Sequence, residues 1–139
     1  MMKEYAFADI HAGLSEILTI DVSKGQVDAF MALSGDSSPV HTDDEYARSR
    51  GYEQRLVHGV LIASYISQLI GMQLPGKHGV LRTLACNFHR PCYVPARLTL
   101  TGTIKKTVPS VRLVQMDIEV RDGAGTVLVT AKAESVMKL

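Results

Sequence analysis

Gly59-Val60-Leu61-Ile62-Ala63-Ser64-Tyr65-Ile66-Ser67-Gln68-Leu69-Ile70-Gly71 is the stretch on which the fold turns. It sits in a helical segment running from Leu56 to about Leu74, in which Leu61, Ile62, Tyr65, Ile66, Leu69 and Ile70 are apolar on nearly two faces. A surface helix buries one stripe only, so a helix this apolar is expected to be covered on most sides. Gly59, Ala63, Ser67 and Gly71 recur every four residues, and that stripe of small side chains predicts close approach by a sheet, a partner helix or a ligand. Pro75-Gly76 ends the segment.

Downstream the apolar period changes to two and stays there. Val80 to Phe88 reads as a strand stopped by Pro91, and Arg97 to Thr107 as another, with Leu98, Leu100, Gly102 and Ile104 on one face. Val111 to Arg121 alternates again, and Asp122-Gly123-Ala124-Gly125 is a hairpin loop into Thr126 to Met137. Upstream, Ile17 to Ile20 is a short strand-like run, and Phe7 and Ile10 are the anchors of the first sixteen residues. One strand, helices, then four consecutive strands with tight turns predict an α+β domain, its antiparallel sheet curled round the buried helix. Residues 1–139 form a single domain, without internal repeat or low-complexity segment. One five-stranded sheet leaves part of such a helix open, and a second copy of the chain is the expected cover.

Charge is nearly balanced, with 15 Lys and Arg against 14 Asp and Glu and no basic or acidic block. This points away from nucleic acid and anionic membranes as partners. A secretory signal and a membrane-spanning run are both missing from the sequence, so a cytoplasmic location is the expectation. Cys86 and Cys92 are then expected to be reduced, with Cys86 in the core.

The chemistry-bearing residues lie before the long helix. Ser23-Lys24-Gly25-Gln26 reads as a capping box, and Val27, Phe30, Met31 and Ser34 share a helical face that should end at Gly35. Thr42 with Glu45 reads as a second capping box, opening a helix through roughly Arg50. Between them, Gly35 and Pro39 confine a loop that sets Asp36 and His41 five residues apart. A carboxylate and an imidazole held this firmly suit general acid–base work on a shared water. Gly59 opens the long helix, where free amides favour negative charge; it either meets an oxyanion or lets the sheet approach. His58 is expected to bond locally at the helix start, and Ser67 to be a small packing residue. The histidines and cysteines lack zinc spacing, and no phosphate loop, dinucleotide fingerprint or nucleophile elbow is present.

Phe30-Met31-Ala32-Leu33-Ser34-Gly35-Asp36-Ser37-Ser38-Pro39-Val40-His41, with Ala47 six further on, resembles the signature of MaoC-like, (R)-specific enoyl-CoA hydratases. Val57 to Ser64 and Phe88 to Pro95 are similar to that family's second and third segments, in the right order. The resemblance covers essentially the whole chain. It implies a hot-dog fold, two protomers joining their sheets side by side, and syn hydration of a trans-2-enoyl thioester to the (3R)-hydroxyacyl thioester. By that resemblance Asp36 and His41 activate the water, with His41 the leading base and Asp36 managing the proton at the α-carbon. The Gly59 amide would polarise the thioester carbonyl, and Ser67 would stand beside the pair. Coenzyme A or an acyl carrier protein would carry the substrate, with no metal or redox cofactor. The acyl tail would run along the buried helix, with Met31, Ile62, Ile66 and Ile70 as candidate lining. Arg82, Arg90, Lys77 and His78 are candidates for coenzyme A phosphates and equally for ordinary surface.

One residue departs from the family pattern: Ser38 stands where asparagine usually precedes the proline. Serine supports the loop with a shorter reach and fewer hydrogen bonds. Alternative readings are a (3R)-hydroxyacyl carrier-protein dehydratase and a non-catalytic acyl-thioester-binding subunit. Thioester hydrolysis is disfavoured, since hot-dog thioesterases usually present a carboxylate from the central helix and residues 57–71 contain none.

Overall fold

The computed structural model describes residues 1–138. Ser23 starts the first helix, α1 (Lys24–Ser34), with a complete capping box. Its hydroxyl accepts the Gln26 amide at 3.2 Å, and the Gln26 side chain accepts the Ser23 amide at 3.0 Å. The helix closes at Gly35, whose φ of 77° is the left-handed geometry glycine adopts freely.

The second capping box does not form. Pro39–Thr42 winds into a single helical turn, α2, and Asp43 caps the next helix, α3 (Asp44–Ser49). Its carboxylate accepts the Glu45 and Tyr46 amides at 2.9 and 3.1 Å. A charged oxygen one residue beyond Thr42 is the stronger cap. His41 therefore sits on a helical turn, more tightly held than on an open loop.

The long helix, α4 (Gly59–Met72), is shorter at both ends than its apolar pattern. Leu56 to His58 stay extended, and the Val57 amide donates to the Cys92 carbonyl at 2.7 Å. Leu61, Ile62, Ile66, Leu69 and Ile70 are buried. Val60, Ser64, Ser67 and Gln68 are exposed, so one side of the helix lacks the expected cover in the single chain.

Five strands form one antiparallel sheet: β1 (Ser15–Val22), β2 (Gly79–Phe88), β3 (Ala96–Val108), β4 (Leu113–Arg121) and β5 (Val127–Met137). Their order is β1-β3-β4-β5-β2. The expectation of four consecutive strands joined by tight turns is corrected at its first connection. β2 pairs with β5, Leu84 opposite Ala133, and the 89–95 segment crosses to β3 past α4's start. Alternation of side chains fixes which face is buried but not which strand is the neighbour. The later turns are tight, the last held by Asp122 accepting the Ala124 and Thr126 amides at 3.0 and 2.9 Å.

Leu98, Leu100, Ile104, Met116 and Ile118 line the inner face of the sheet and bury α4's apolar side. The glycine that permits this contact is in the strand. A Cβ on Gly102 would lie 2.7 Å from Met116 Sδ and 3.1 Å from Leu69 Cδ2. A Cβ on Gly71 would meet nothing within 4 Å, whereas one on Gly59 would meet the Phe88 ring at 2.9 Å. Cys86 is only half-buried; the core thiol is Cys92, whose pKa burial pushes up to about 11. Ile66 is wholly buried, so Ile66→Ala is expected to destabilise the fold by about 2–5 kcal/mol, measurable as a lower denaturant midpoint at unchanged slope.

Candidate active site

The loop after α1 and the extended segment before α4 meet, and Asp36, His41 and His58 lie on one of them or on α2. Asp36 is exposed. Its carboxylate accepts the Ser38 amide at 3.3 Å, and that bond, more than any other influence, holds its pKa below the ordinary value. The Asp36 amide donates to Ser34 Oγ at 3.1 Å, and Ser34 in turn donates to the Phe30 carbonyl at 2.7 Å. Ser38 thus supports the acid chiefly through its main chain, which needs no asparagine side chain.

His41 Nδ1 lies 2.8 Å from the Leu56 carbonyl oxygen. A carbonyl only accepts, so Nδ1 carries the proton and Nε2 keeps a bare lone pair. Burial pushes the imidazole pKa down, against the opposing pull of that hydrogen bond. Arg55 Nε donates to the His41 carbonyl at 2.7 Å and its Nη2 pairs with Asp28 of α1 at 2.9 Å, tying α2 to α1.

His58 differs from its sequence expectation of a local bond. It is 2% exposed, its Nε2 lies 2.9 Å from the Asp36 carbonyl oxygen, and its ring stacks on His41 with centroids 3.7 Å apart. The contact spans 22 residues and depends on the docking of two segments. A histidine beside a helix-opening glycine carries no local trace of it.

Gly59 is the first residue of α4, where the leading amides lack intrahelical partners. His41, Gly59, Ile62, Phe88, His89 and Arg90 line a cleft of about 410 Å³. Of the candidate acyl-lining residues, the structure brings only Ile62 to this cleft. Ile66 and Ile70 are sealed in the core, and Met31 is half-buried on α1. Ser67 is exposed on the uncovered side of α4, outside the cleft lining. Of the candidate cations, Arg90 is at the cleft. Lys77 and His78 pair with Glu4 at 3.5 and 2.9 Å, and Arg82 is exposed on β2.

Asp36, His41 and His58 bring one ligand-type atom each to within 4.8 Å of one another. The two rings are only 20° from parallel. Their in-plane lone pairs therefore run side by side instead of converging on one point, a poor fit to a shared metal ion. An ionised carboxylate beside a neutral imidazole with a free Nε2, the imidazole sharing a cleft with a helix-start amide, is equipped to move a proton and to receive negative charge.

These features define a hot-dog domain with a carboxylate–imidazole site at the start of its central helix. Residues 8–128 match the model of the MaoC-like domain, and the chain belongs to that family of hydratases and dehydratases. It is 30% identical over 133 residues to an (R)-specific enoyl-CoA hydratase of Rhodospirillum rubrum, covering 91% of this chain and 92% of that protein. A 3-hydroxybutyryl-CoA dehydratase of Methylorubrum extorquens is 29% identical over 136 residues, covering 93% and 87%. The solved structure of the (R)-hydratase from Aeromonas caviae involved in PHA biosynthesis superposes with a TM-score of 0.88 at 28% identity. That match covers 93% of this chain and 98% of the other.

Proposed function

We propose that this protein adds water reversibly to a trans-2-enoyl-coenzyme A, giving the (3R)-hydroxyacyl thioester. The observation that carries this reading is the free Nε2 of His41, fixed by the bond of Nδ1 to the Leu56 carbonyl and set beside the Asp36 carboxylate and the Gly59 amide. The chemistry balances with one water and no other reactant. His41 Nε2 takes a proton as the water oxygen bonds C3, and the electron pair of the C2–C3 double bond moves toward the thioester oxygen. The Gly59 amide meets that oxygen as its charge grows. The pair returns the proton to C2 through Asp36, which restores both side chains. Asp36 and His41 lie side by side, so one pair handles both additions from one face of the double bond and they are syn.

Arg90 at the cleft lining is the best-placed cation for the coenzyme A phosphates. The reading uses no metal or redox cofactor, because the proton transfer and the oxyanion contact supply the chemistry. The exposed side of α4, with Val60 at 68% exposure and Ser67 two turns further along the helix, supports a homodimer that covers this face and brings Ser67 near a site. Among the described residues no helix is long and apolar enough to cross a membrane.

The test is loss of enoyl-thioester absorbance with crotonyl-coenzyme A and chiral analysis of the product. Turnover to the (3R) isomer supports the reading. Free thiol without loss of the double bond replaces it with thioester hydrolysis. Turnover of an enoyl carrier protein alone moves the assignment to carrier-protein dehydration.

Gly59→Ala checks the carbonyl contact. The added Cβ presses on the ring of Phe88, a residue that is 52% exposed and can swing, so the strain falls on the cleft more than on the core. The expected outcome is a melting temperature within a few degrees of the natural chain and kcat/KM lower by about 10- to 100-fold.

A further inference from the structure

We propose that His58 is a positioning residue, binding Asp36 and His41 into one rigid unit through a hydrogen bond to the Asp36 main chain and a ring stack on His41. The inference rests on the hydratase reading for its kinetic consequence but not for its structural one. Two contacts from one imidazole reach both members of the pair: Nε2 to the Asp36 carbonyl at 2.9 Å, and the ring face on His41 at 3.7 Å between centroids. Phe30 of α1 holds a third side of the ring edge-on, with centroids 4.9 Å apart and planes at 61°. The ring can therefore neither slide nor tilt without moving the pair. The other side-chain grips on the main chain of the pair are Ser34 Oγ, which accepts the Asp36 amide, and Arg55 at the opposite end, which holds the His41 carbonyl.

A packing role alone does not account for an imidazole here. Nε2 faces a carbonyl, so it carries the proton, and Nδ1 is left as an acceptor. That Nδ1 is buried and has no hydrogen-bond partner among the described residues. Buried polar atoms are nearly always paired, and an orphan calls for an explanation. A phenyl ring would fill the same space without an unpaired acceptor, yet it could not hold the Asp36 carbonyl. The charged and titratable groups facing His58 and His41 are Asp36 on the preceding loop and Arg55 on the same segment. Arg55 is committed to Asp28, so the His58 ring is the side chain that touches both members of the pair.

The test compares the natural chain with His58→Phe and His58→Gln, by kinetics on crotonyl-coenzyme A and by hydrogen exchange of the Ser38 amide. His58→Phe keeps a ring for the stack and loses the donor; His58→Gln keeps a donor and loses the stack. His58→Phe is expected to fold, to lower kcat by about 10- to 100-fold with KM changed less than about twofold, and to speed Ser38 exchange at least about tenfold. Exchange of core amides such as that of Leu69 should not move. His58→Gln is expected to restore much of the Ser38 protection and part of kcat, and it decides the matter if His58→Phe does not fold. A folded His58→Phe with natural kcat and natural Ser38 exchange overturns the proposal. If the natural chain itself does not turn over crotonyl-coenzyme A, the hydratase reading fails, and Ser38 exchange alone still decides the role of His58.

Discussion

Asp36→Asn is expected to lower kcat for crotonyl-coenzyme A hydration by about 10²- to 10⁴-fold while leaving the protein folded. The substitution is nearly isosteric. The asparagine oxygen still accepts the Ser38 amide, and the Asp36 main chain keeps its bonds to Ser34 and His58. What is lost is the charge and the capacity to carry a proton to C2. Because Asp36 is exposed, no core contact is removed, and the melting temperature should stay within a few degrees of the natural value. The reading is sunk if Asp36→Asn retains natural kcat with crotonyl-coenzyme A. A chain that binds the thioester without turnover, with or without the substitution, would be an acyl-thioester-binding subunit instead.

The parts legible in the sequence are those fixed by short-range rules. Ser23 and Gln26 define the start of α1 because both halves of the capping box lie within one turn. The inward face of β3 follows from the alternation of Leu98, Leu100 and Ile104. Asp36 and His41 are close because Gly35 and Pro39 leave little else for five residues to do. The remainder depends on contacts between distant segments. Strand order is one example, since nothing in Val80 to Phe88 says that it pairs with β5 and not with its sequence neighbour. The contrast between Ile62 at the cleft and Ile66 and Ile70 in the core is another. All three lie on apolar positions of one helix, and only the placement of Phe88 and the 89–92 segment separates them. His58 is the clearest case, because its two partners come from α2 and from the loop after α1.

His41→Ala is expected to lower kcat at neutral pH as severely as Asp36→Asn, and it also identifies one limb of the pH profile. An ordinary imidazole titrates near 6.5, and burial moves that of His41 below this value. The neutral base therefore persists into mildly acid solution, and the acid fall of kcat/KM of the natural chain should have its midpoint below about pH 6.5. The Ser38 amide holds the Asp36 carboxyl below its own ordinary value, moving its titration away from that window. The same shift has a thermodynamic sign. With a folded pKa below the unfolded one, the unfolded chain binds the proton first, so His41 favours folding above about 6.5 and that contribution is lost as pH falls toward its folded pKa. His41→Ala should remove the acid limb from any residual turnover and flatten the stability slope across the same window. A natural acid limb centred above about pH 7 would mean that the base is not a buried, neutral His41, and that the bond from Nδ1 to Leu56 does not leave Nε2 poised for water.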